Sequence, residues 1–245
     1  MGYRGRDVEV TFLEGDLCLV TACDSCGAIG DKELDVVKVP PLVTGQMTSR
    51  VVLAEILSVG AEPRLLTAAI CNEPDPTAEG ILAGIRLELK KLNMSQLPIT
   101  VSTEKNIPTR QTAIGITAIG ICRREKLRVG LSQPGDVVYC LGIPKVGHEF
   151  EGVDDAEILQ LNHIQLLSEW KGIHDIIPVG SRGIKAEAST LAEAVECNFV
   201  PSGSSGLDLD KSAGPSTCLL FSCPPSVQPP LMPSIPCRKV GIITK

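Results

Sequence analysis

Asp24-Ser25-Cys26-Gly27-Ala28-Ile29-Gly30-Asp31-Lys32-Glu33-Leu34-Asp35-Val36-Val37-Lys38 is the stretch on which the reading of this chain turns. It follows the apolar run 17–23 (LCLVTAC), which reads as a strand, so Asp24 falls at a strand end, where functional side chains gather. Gly27 and Gly30 let the backbone come close to a ligand. Lys32 supplies a point charge of the kind phosphates attract. Asp24 and Asp35 flank the loop and offer the hard oxygen ligands that Mg²⁺ takes beside phosphate oxygens. The same residue types also suit a hairpin turn with solvated charges, and composition alone leaves both readings open. The loop is neither a Walker loop, since G-x-x-x-x-G-K-S/T is absent, nor a dinucleotide fingerprint, since G-x-G-x-x-G is missing.

Working outward, residues 7–12 (DVEVTF) pair naturally with 17–23 around a turn at 13–16. DVVKVP continues as a strand that Pro40 and Pro41 stop. Val43, Met47, Val51, Leu53, Ala54 and Leu57 recur at helical spacing, and Gly60 closes that helix. PRLLTAAIC reads as a strand. TAEGILAGIRLELKKLN reads as an amphipathic helix whose basic last turn suits the macrodipole. PITVST and TAIGITAIGICRR are two more strands. A linker follows, and VVYCLGIP opens a second half. There DDAEILQLNHIQLLSEW reads as a helix, 174–196 as a Gly-containing segment and CLLFSC as a strand. The Pro-rich run 224–237 reads as an extended crossing segment, and KVGIIT as an edge strand. Mixed helix and strand in both halves predicts an α+β or α/β fold of two lobes, with domains at 1–128 and 129–245.

The 245 residues fit that count. Hydrophobic residues make up 43% and aromatic residues 3%, so the cores are built from Val, Ile, Leu and Ala, as in buried sheets. A net charge of −6 speaks against a general grip on nucleic acid. No apolar run reaches the roughly 18–20 residues of a membrane span, and MGYRGRDVEVTF is no signal peptide, so a soluble cytoplasmic protein is expected. The ten cysteines sit mostly in strand-like runs and read as small buried hydrophobes. Cys23-x-x-Cys26 lacks the second pair that a zinc site wants, so it reads as strand and turn packing. His163 and Trp170 read as packing residues. His148 and Lys145 are candidates for ligand contact, and 202–206 reads as a flexible loop or a mobile lid. No G-x-S-x-G is present to suggest a serine hydrolase.

The segment from Asp24 resembles the D-G-x-G-T-K signature of the aminoimidazole-ribonucleotide-synthetase (PurM-like) superfamily, through Asp24, Gly27, Gly30 and Lys32. SRVVLAEILSVGAEPRLL is similar to that superfamily's helix ending in V-G-A-x-P, here Val59, Gly60, Ala61 and Pro63. PITVSTEKNIPTRQTAIGITAIG resembles its strand, acidic loop and strand, and PGDVVYCLGIPKVG the start of its second domain. IIPVGSRGI resembles its H-D-x-S/T-x-G-G-L turn, and GPSTCLLFSCP its closing strand. The run Gly27–Pro40 is most similar to the α-ribazole kinases of cobamide salvage.

The resemblance implies a two-lobed PurM-like fold whose first lobes pair as a homodimer around a shared β-barrel, with a C-terminal α/β lobe. It implies ATP and Mg²⁺, and γ-phosphoryl transfer to the 5′-hydroxyl of α-ribazole, a small nucleoside-like acceptor. Positioning and charge neutralisation dominate such chemistry. By matching, Asp24, Asp35, Glu73 and Glu104 hold the metal. Lys32 meets a phosphate, with Gly27, Gly30, Lys38 and Asn72 around the nucleotide. Asp24, Lys32 and Glu104 carry catalysis. Three departures bear on the acceptor: Glu73 stands where the superfamily has Asp, STEKN replaces G-G-E/D-T around Glu104, and VGSRG lacks the second-half acidic residue. Two alternatives stay open: another ATP-using reaction of the superfamily, such as a thiamine-monophosphate kinase or a cyclase, and a non-catalytic nucleotide-binding protein.

Overall fold

The structure, a computed structural model, describes residues 2–149, 151–203, 205–229, 232 and 235–245. Strands β1 (Val8–Phe12) and β2 (Leu17–Gly27) form an antiparallel hairpin. Short strands β3 (Ile29–Gly30) and β4 (Val37–Lys38) pair in parallel across the glycine loop. Helix α1 (Pro41–Ser58) follows, then β5 (Glu62–Ile70), α2 (Glu79–Lys91), β6 (Ile99–Thr103) and β7 (Ala113–Arg123). The first sheet runs β1-β2-β7-β5-β6, antiparallel except for β5 with β6.

β2 extends beyond the expected end at Cys23. Every residue from Asp24 to Gly27 still pairs with β7, because β7 continues as an unbroken alternation down to Ala113. The expected strand over 35–40 is only two residues long. The amides of Val36 and Val37 both turn back to the Ala28 carbonyl, at 2.8 and 3.2 Å, and close the loop early. Pro41 occupies the first helical position of α1, where its missing N–H costs nothing. Gly60, at φ +79°, ends the helix in a left-handed cap.

Helices α1 and α2 cover one face of this sheet and touch closely. A Cβ on Gly84 would lie 2.0 Å from the Leu42 carbonyl oxygen, and one on Gly45 2.0 Å from that of Ile81. Backbone on both sides leaves no room to yield. Gly84→Ala is therefore expected to destabilise the fold by about 1–3 kcal/mol although alanine is the better helix former; the midpoint of urea unfolding checks this. The other face of the sheet is half-exposed. Along β7, Ile114, Ile116 and Ala118 are buried under the helices, while Thr117, Ile119 and Ile121 alternate outward beside Leu17 and Leu19 of β2.

The second lobe comprises β8 (Val137–Gly142), α3 (Leu161–Glu169), β9 (Ile176–Pro178), α4 (Gly183–Glu193), β10 (Asn198–Pro201), β11 (Cys218–Cys223) and β12 (Cys237–Thr244). Its antiparallel sheet runs β10-β12-β8-β11-β9. Three expectations are corrected here. The helix expected from Asp154 starts only at Leu161, because the Asp155 carboxylate takes the amides of Glu151 (3.0 Å) and Glu157 (2.8 Å) and fixes a turn. KVGIIT is interior, between β10 and β8; β10, which ends in Pro201, is the edge. The Gly-containing segment 174–196 holds both β9 and α4. The Pro-rich run leads from β11 past β8 to β12, with residues 230, 231, 233 and 234 outside the described residues. Of the loop 202–206, Ser204 also lies outside them.

One apolar core runs through both lobes, joining α1 and the first sheet to Leu161, Ile164, Ile176 and Phe221. A second lies under α4. With helices or the first lobe on both faces, β11 is buried at all six positions. Among the described residues no helix is long and apolar enough to cross a membrane.

Candidate functional site

Between the lobes lies a cleft of about 1180 Å³. The end of β2 and one side of α1 form one wall. Gly147–His148, Gly180–Ser181 and Gly214–Ser216 form the other. Asp24 opens onto this cleft from β2. Burial raises its pKa, only partly offset by a hydrogen bond from the Ser25 amide, and the nearby Asp7 charge raises it further. A desolvated carboxylate without a cationic partner is a strong place for a ligand-borne cation or donor.

The remaining loop residues are engaged with protein. Asp35 is buried and accepts the Lys32 amide (2.9 Å), the Thr112 amide (2.7 Å) and the Thr112 hydroxyl (2.7 Å). Burial would raise its pKa, but these bonds and nearby Lys38 pull it below the usual range. Gly30 exists for this packing: a Cβ there would meet Thr112 Oγ1 at 2.1 Å. Gly27 has open space around it. Lys32 Nζ pairs with Glu73 at 2.8 Å and donates to the Thr109 carbonyl at 3.1 Å. Lys38 caps the Lys32 and Glu33 carbonyls. Asn72 is buried, bridging Thr109, Gln111 and Ala113. Glu104 caps a turn through the amides of Asn106 (2.7 Å) and Ile107 (3.1 Å), which hold its pKa down.

Glu73 also accepts hydrogen bonds from Thr109 (3.2 Å) and Thr77. Its partial burial acts to raise its pKa, but Lys32 and Thr77 outweigh that and bring it to about 2. The sign follows: a carboxyl depressed on folding adds stability that is present above its unfolded pKa near 4.5 and is lost as pH falls towards 2. Glu73→Gln is expected to flatten the loss of stability across that window, and acid titration of the unfolding midpoint checks it.

The fold gathers carboxylates that sequence reading missed. Asp7 and Glu55 line the same cleft as Asp24. Burial pushes Glu55 up to about 8, opposed by the Arg6 charge and reinforced by Asp7, Glu187 and Asp24. Glu55 carried a signal: it is the one charged residue in the apolar helical run VVLAEILSVG. His148 lines the cleft, whereas Lys145 is held by Asp155 (2.9 Å) and Glu157 (2.7 Å). His163 is buried and accepts the Gln160 amide at the start of α3, as befits a packing residue. Trp170 ends α3, half-exposed. Cys23 and Cys26, three apart on a strand, point to opposite faces of β2, and all ten cysteines are free.

Among the described residues, no three His, Cys, Asp or Glu side chains are placed to hold one metal ion. The donor set nevertheless suits Mg²⁺ that arrives with phosphates. Such ions keep several waters and take only one or two carboxylates from the protein. Asp24, which accepts the Ser25 amide and has no ion pair among the described residues, is the expected ligand with the most free carboxylate. Asp35, Glu73 and Glu104 would have to exchange existing partners.

No family model matches the sequence, and no curated protein matches it. Solved structures do share the fold, a two-lobed mixed α/β architecture. The chain is 14% identical to thiamine monophosphate kinase from Aquifex aeolicus, with 98% of this chain and 89% of that one covered and a TM-score of 0.67. A second structure, of AaThiL complexed with AMPPCP and TMP, is 15% identical, with 98% and 85% covered and a TM-score of 0.65. The hydrogenase maturation protein HypE in complex with ATP is 14% identical, with 96% and 78% covered and a TM-score of 0.63.

Proposed function

We propose that this chain is an Mg²⁺-dependent, ATP-using kinase of the PurM-like type that phosphorylates a small alcohol, with the 5′-hydroxyl of α-ribazole as the acceptor. The observation that carries the reading is Asp24: a desolvated carboxylate at the end of β2, held only by the Ser25 amide and with no ion pair among the described residues, opening on a cleft large enough for two small ligands. Structures of the same fold have been solved with AMPPCP and TMP and with ATP, which supports a nucleotide here. The similarity of Gly27–Pro40 to α-ribazole kinases supports the acceptor.

In this reading Asp24 takes the metal that accompanies the nucleotide, and Gly27 leaves the backbone open to phosphate oxygens. When bound, Mg²⁺ neutralises phosphate charge. Lys32 turns from Glu73 to a phosphate, while Asp35, Lys38 and Asn72 keep the loop in shape. Glu73 and Glu104 are further ligands if nucleotide displaces their present partners. The second lobe, 129–245, closes the cleft over the first, 1–128, and the protein works in the cytoplasm. We further propose that two copies pair through the half-exposed face of the first sheet, where Leu17, Leu19, Ile119 and Ile121 would bury one another in a shared barrel.

A second reading has its own observation. Lys32 Nζ and Glu73 already satisfy each other, and Asp35 is taken up by the Lys32 amide and Thr112, which suits a protein that binds nucleotide without turning it over. Thermal unfolding with and without Mg²⁺-ATP, alongside ADP release, separates the two. A rise in Tm that needs Mg²⁺, accompanied by acceptor-dependent ADP, supports the kinase. A rise without ADP supports the binder, and no rise removes nucleotide binding altogether.

A further inference from the structure

Six buried side-chain polar atoms lack a hydrogen-bond partner among the described residues, and five of them belong to four residues: Arg6 Nε and Nη1, Glu55 Oε2, Asp175 Oδ1 and Glu187 Oε1, the last in an ion pair with Arg182 Nη2 at 3.2 Å. The four residues are 2%, 7%, 0% and 3% exposed. They come from four places: the segment before β1, helix α1, the segment before β9 and helix α4. Arg6 Nη2 donates to the Ile176 carbonyl on β9. Its charge is felt by Glu55, and the charges of Glu55, Asp175 and Glu187 all act on it. Glu187 is also paired with Arg182 at 3.2 Å and Asp175 also acts on Arg128, so Arg6 is the guanidinium whose charge all three carboxylates share at longer range, with the lobe boundary running through the group.

Two of the three carboxylates are fixed from behind. Asp175 Oδ2 accepts the amides of Leu131 (2.8 Å) and Ser132 (2.7 Å) and the Ser132 hydroxyl (2.8 Å). Glu187 accepts from Arg182 at 3.2 Å, the residue after Ser181 of the cleft. Glu55 itself lines the cleft, and so does Asp7, the residue after Arg6. Apolar side chains of the same volume would usually be as stable as a buried ion cluster, or more so. Incompletely satisfied polar groups in a core call for a reason other than stability.

We infer that Arg6 is a positioning residue that sets the spacing of the two cleft walls. Arg6 does not itself line the cleft. It ties the segment beside Asp7 on the first lobe to β9 on the second through the Ile176 carbonyl, so that Asp24 faces Ser181 and His148 across a fixed gap. Other arginines also cross the boundary, among them Arg128, which donates to the Ser168 carbonyl at 3.0 Å; neither Arg6 nor Arg128 lines the cleft, but Arg6 directly precedes Asp7, which does.

The test is hydrogen exchange read by mass spectrometry on the full chain, comparing wild type with Arg6→Met, Arg6→Lys and Arg128→Met. Arg6→Met is expected to speed exchange at least tenfold in segments 7–9 and 176–181, with β5 and β7 unchanged. Arg6→Lys keeps the charge but not the fork, so it should recover part of that protection; it carries the test alone if Arg6→Met fails to fold. Arg128→Met should leave both cleft walls as in wild type. Uniformly faster exchange, or identical effects of the Arg6 and Arg128 variants, would overturn the inference. A kinetic arm rests on the kinase reading: Arg6→Met should raise KM for Mg²⁺-ATP at least fivefold with kcat within twofold, which a loss of stability alone would not do. Wild-type protein without kinase activity would defeat that reading, while the exchange pattern would still decide the role of Arg6.

Discussion

Asp24→Asn is expected to lower kcat by at least about 10²-fold, the scale seen when one preorganised electrostatic contact to the reacting centre is lost. The change keeps the shape, removes the charge and replaces one acceptor oxygen by a donor NH₂. Its stability should move the other way. Folding raises the Asp24 pKa, chiefly through burial, so the folded state holds the proton more tightly than the unfolded chain. The ionised carboxylate therefore destabilises the fold at neutral pH; that cost is absent at low pH and appears as pH rises through the folded pKa. Asparagine carries no such cost, so the variant's Tm at pH 7 should equal or exceed that of wild type, and the difference should vanish in acid. Loss of turnover together with a lowered Tm would mean that Asp24 is structural and would remove the central residue of the proposed site.

Glu88→Ala should give the largest loss of stability. Glu88 and Arg50 are 1% and 0% exposed, and they pair at 3.0 and 3.3 Å between α2 and α1. Glu88 also accepts from Gln46 (3.0 Å) and Lys91 (3.1 Å), while Arg50 Nη1 reaches across the lobe boundary to the Leu159 carbonyl at 3.3 Å. Removing the carboxylate strands a guanidinium in the core, which costs about 3–5 kcal/mol. For a chain of this length each kcal/mol is about 2–4 °C, so Tm should fall by roughly 6–20 °C. The double variant Arg50→Met with Glu88→Leu removes both charges and should recover most of the loss. Calorimetry on Arg50→Met, Glu88→Leu and the double variant closes the cycle; near-additive losses would show that the pair is not coupled.

The first lobe was largely legible because its elements announce themselves locally. The alternation of β7, the helical spacing from Val43 to Leu57 and the left-handed stop at Gly60 need no partner to be recognised. The second lobe was less so. Helix α4 repeats Ile184, Ala188 and Leu191 at helical spacing, but Gly180, Gly183 and its Ser and Thr residues disguise its start and lower its propensity. In the site, Asp24 is visible because it ends an apolar strand. Asp35 carries the same local signature, yet its carboxylate is claimed by Thr112, 77 residues on, and no local pattern shows that. Asp7 and Glu55 stand far apart in sequence and share the cleft only once the sheet and α1 have packed. Buried electrostatics is a property of the assembled fold, whereas strand ends and helix caps are properties of the chain.

The most direct test of the proposed function is a ³¹P NMR time course of the purified protein with Mg²⁺-ATP and α-ribazole, with Asp24→Asn as the control. The kinase reading predicts a new phosphomonoester resonance rising in step with ADP, one for one, and absent in the control. ATP that remains unchanged in the presence of wild-type protein, Mg²⁺ and α-ribazole, with neither ADP nor phosphomonoester formed, would contradict it.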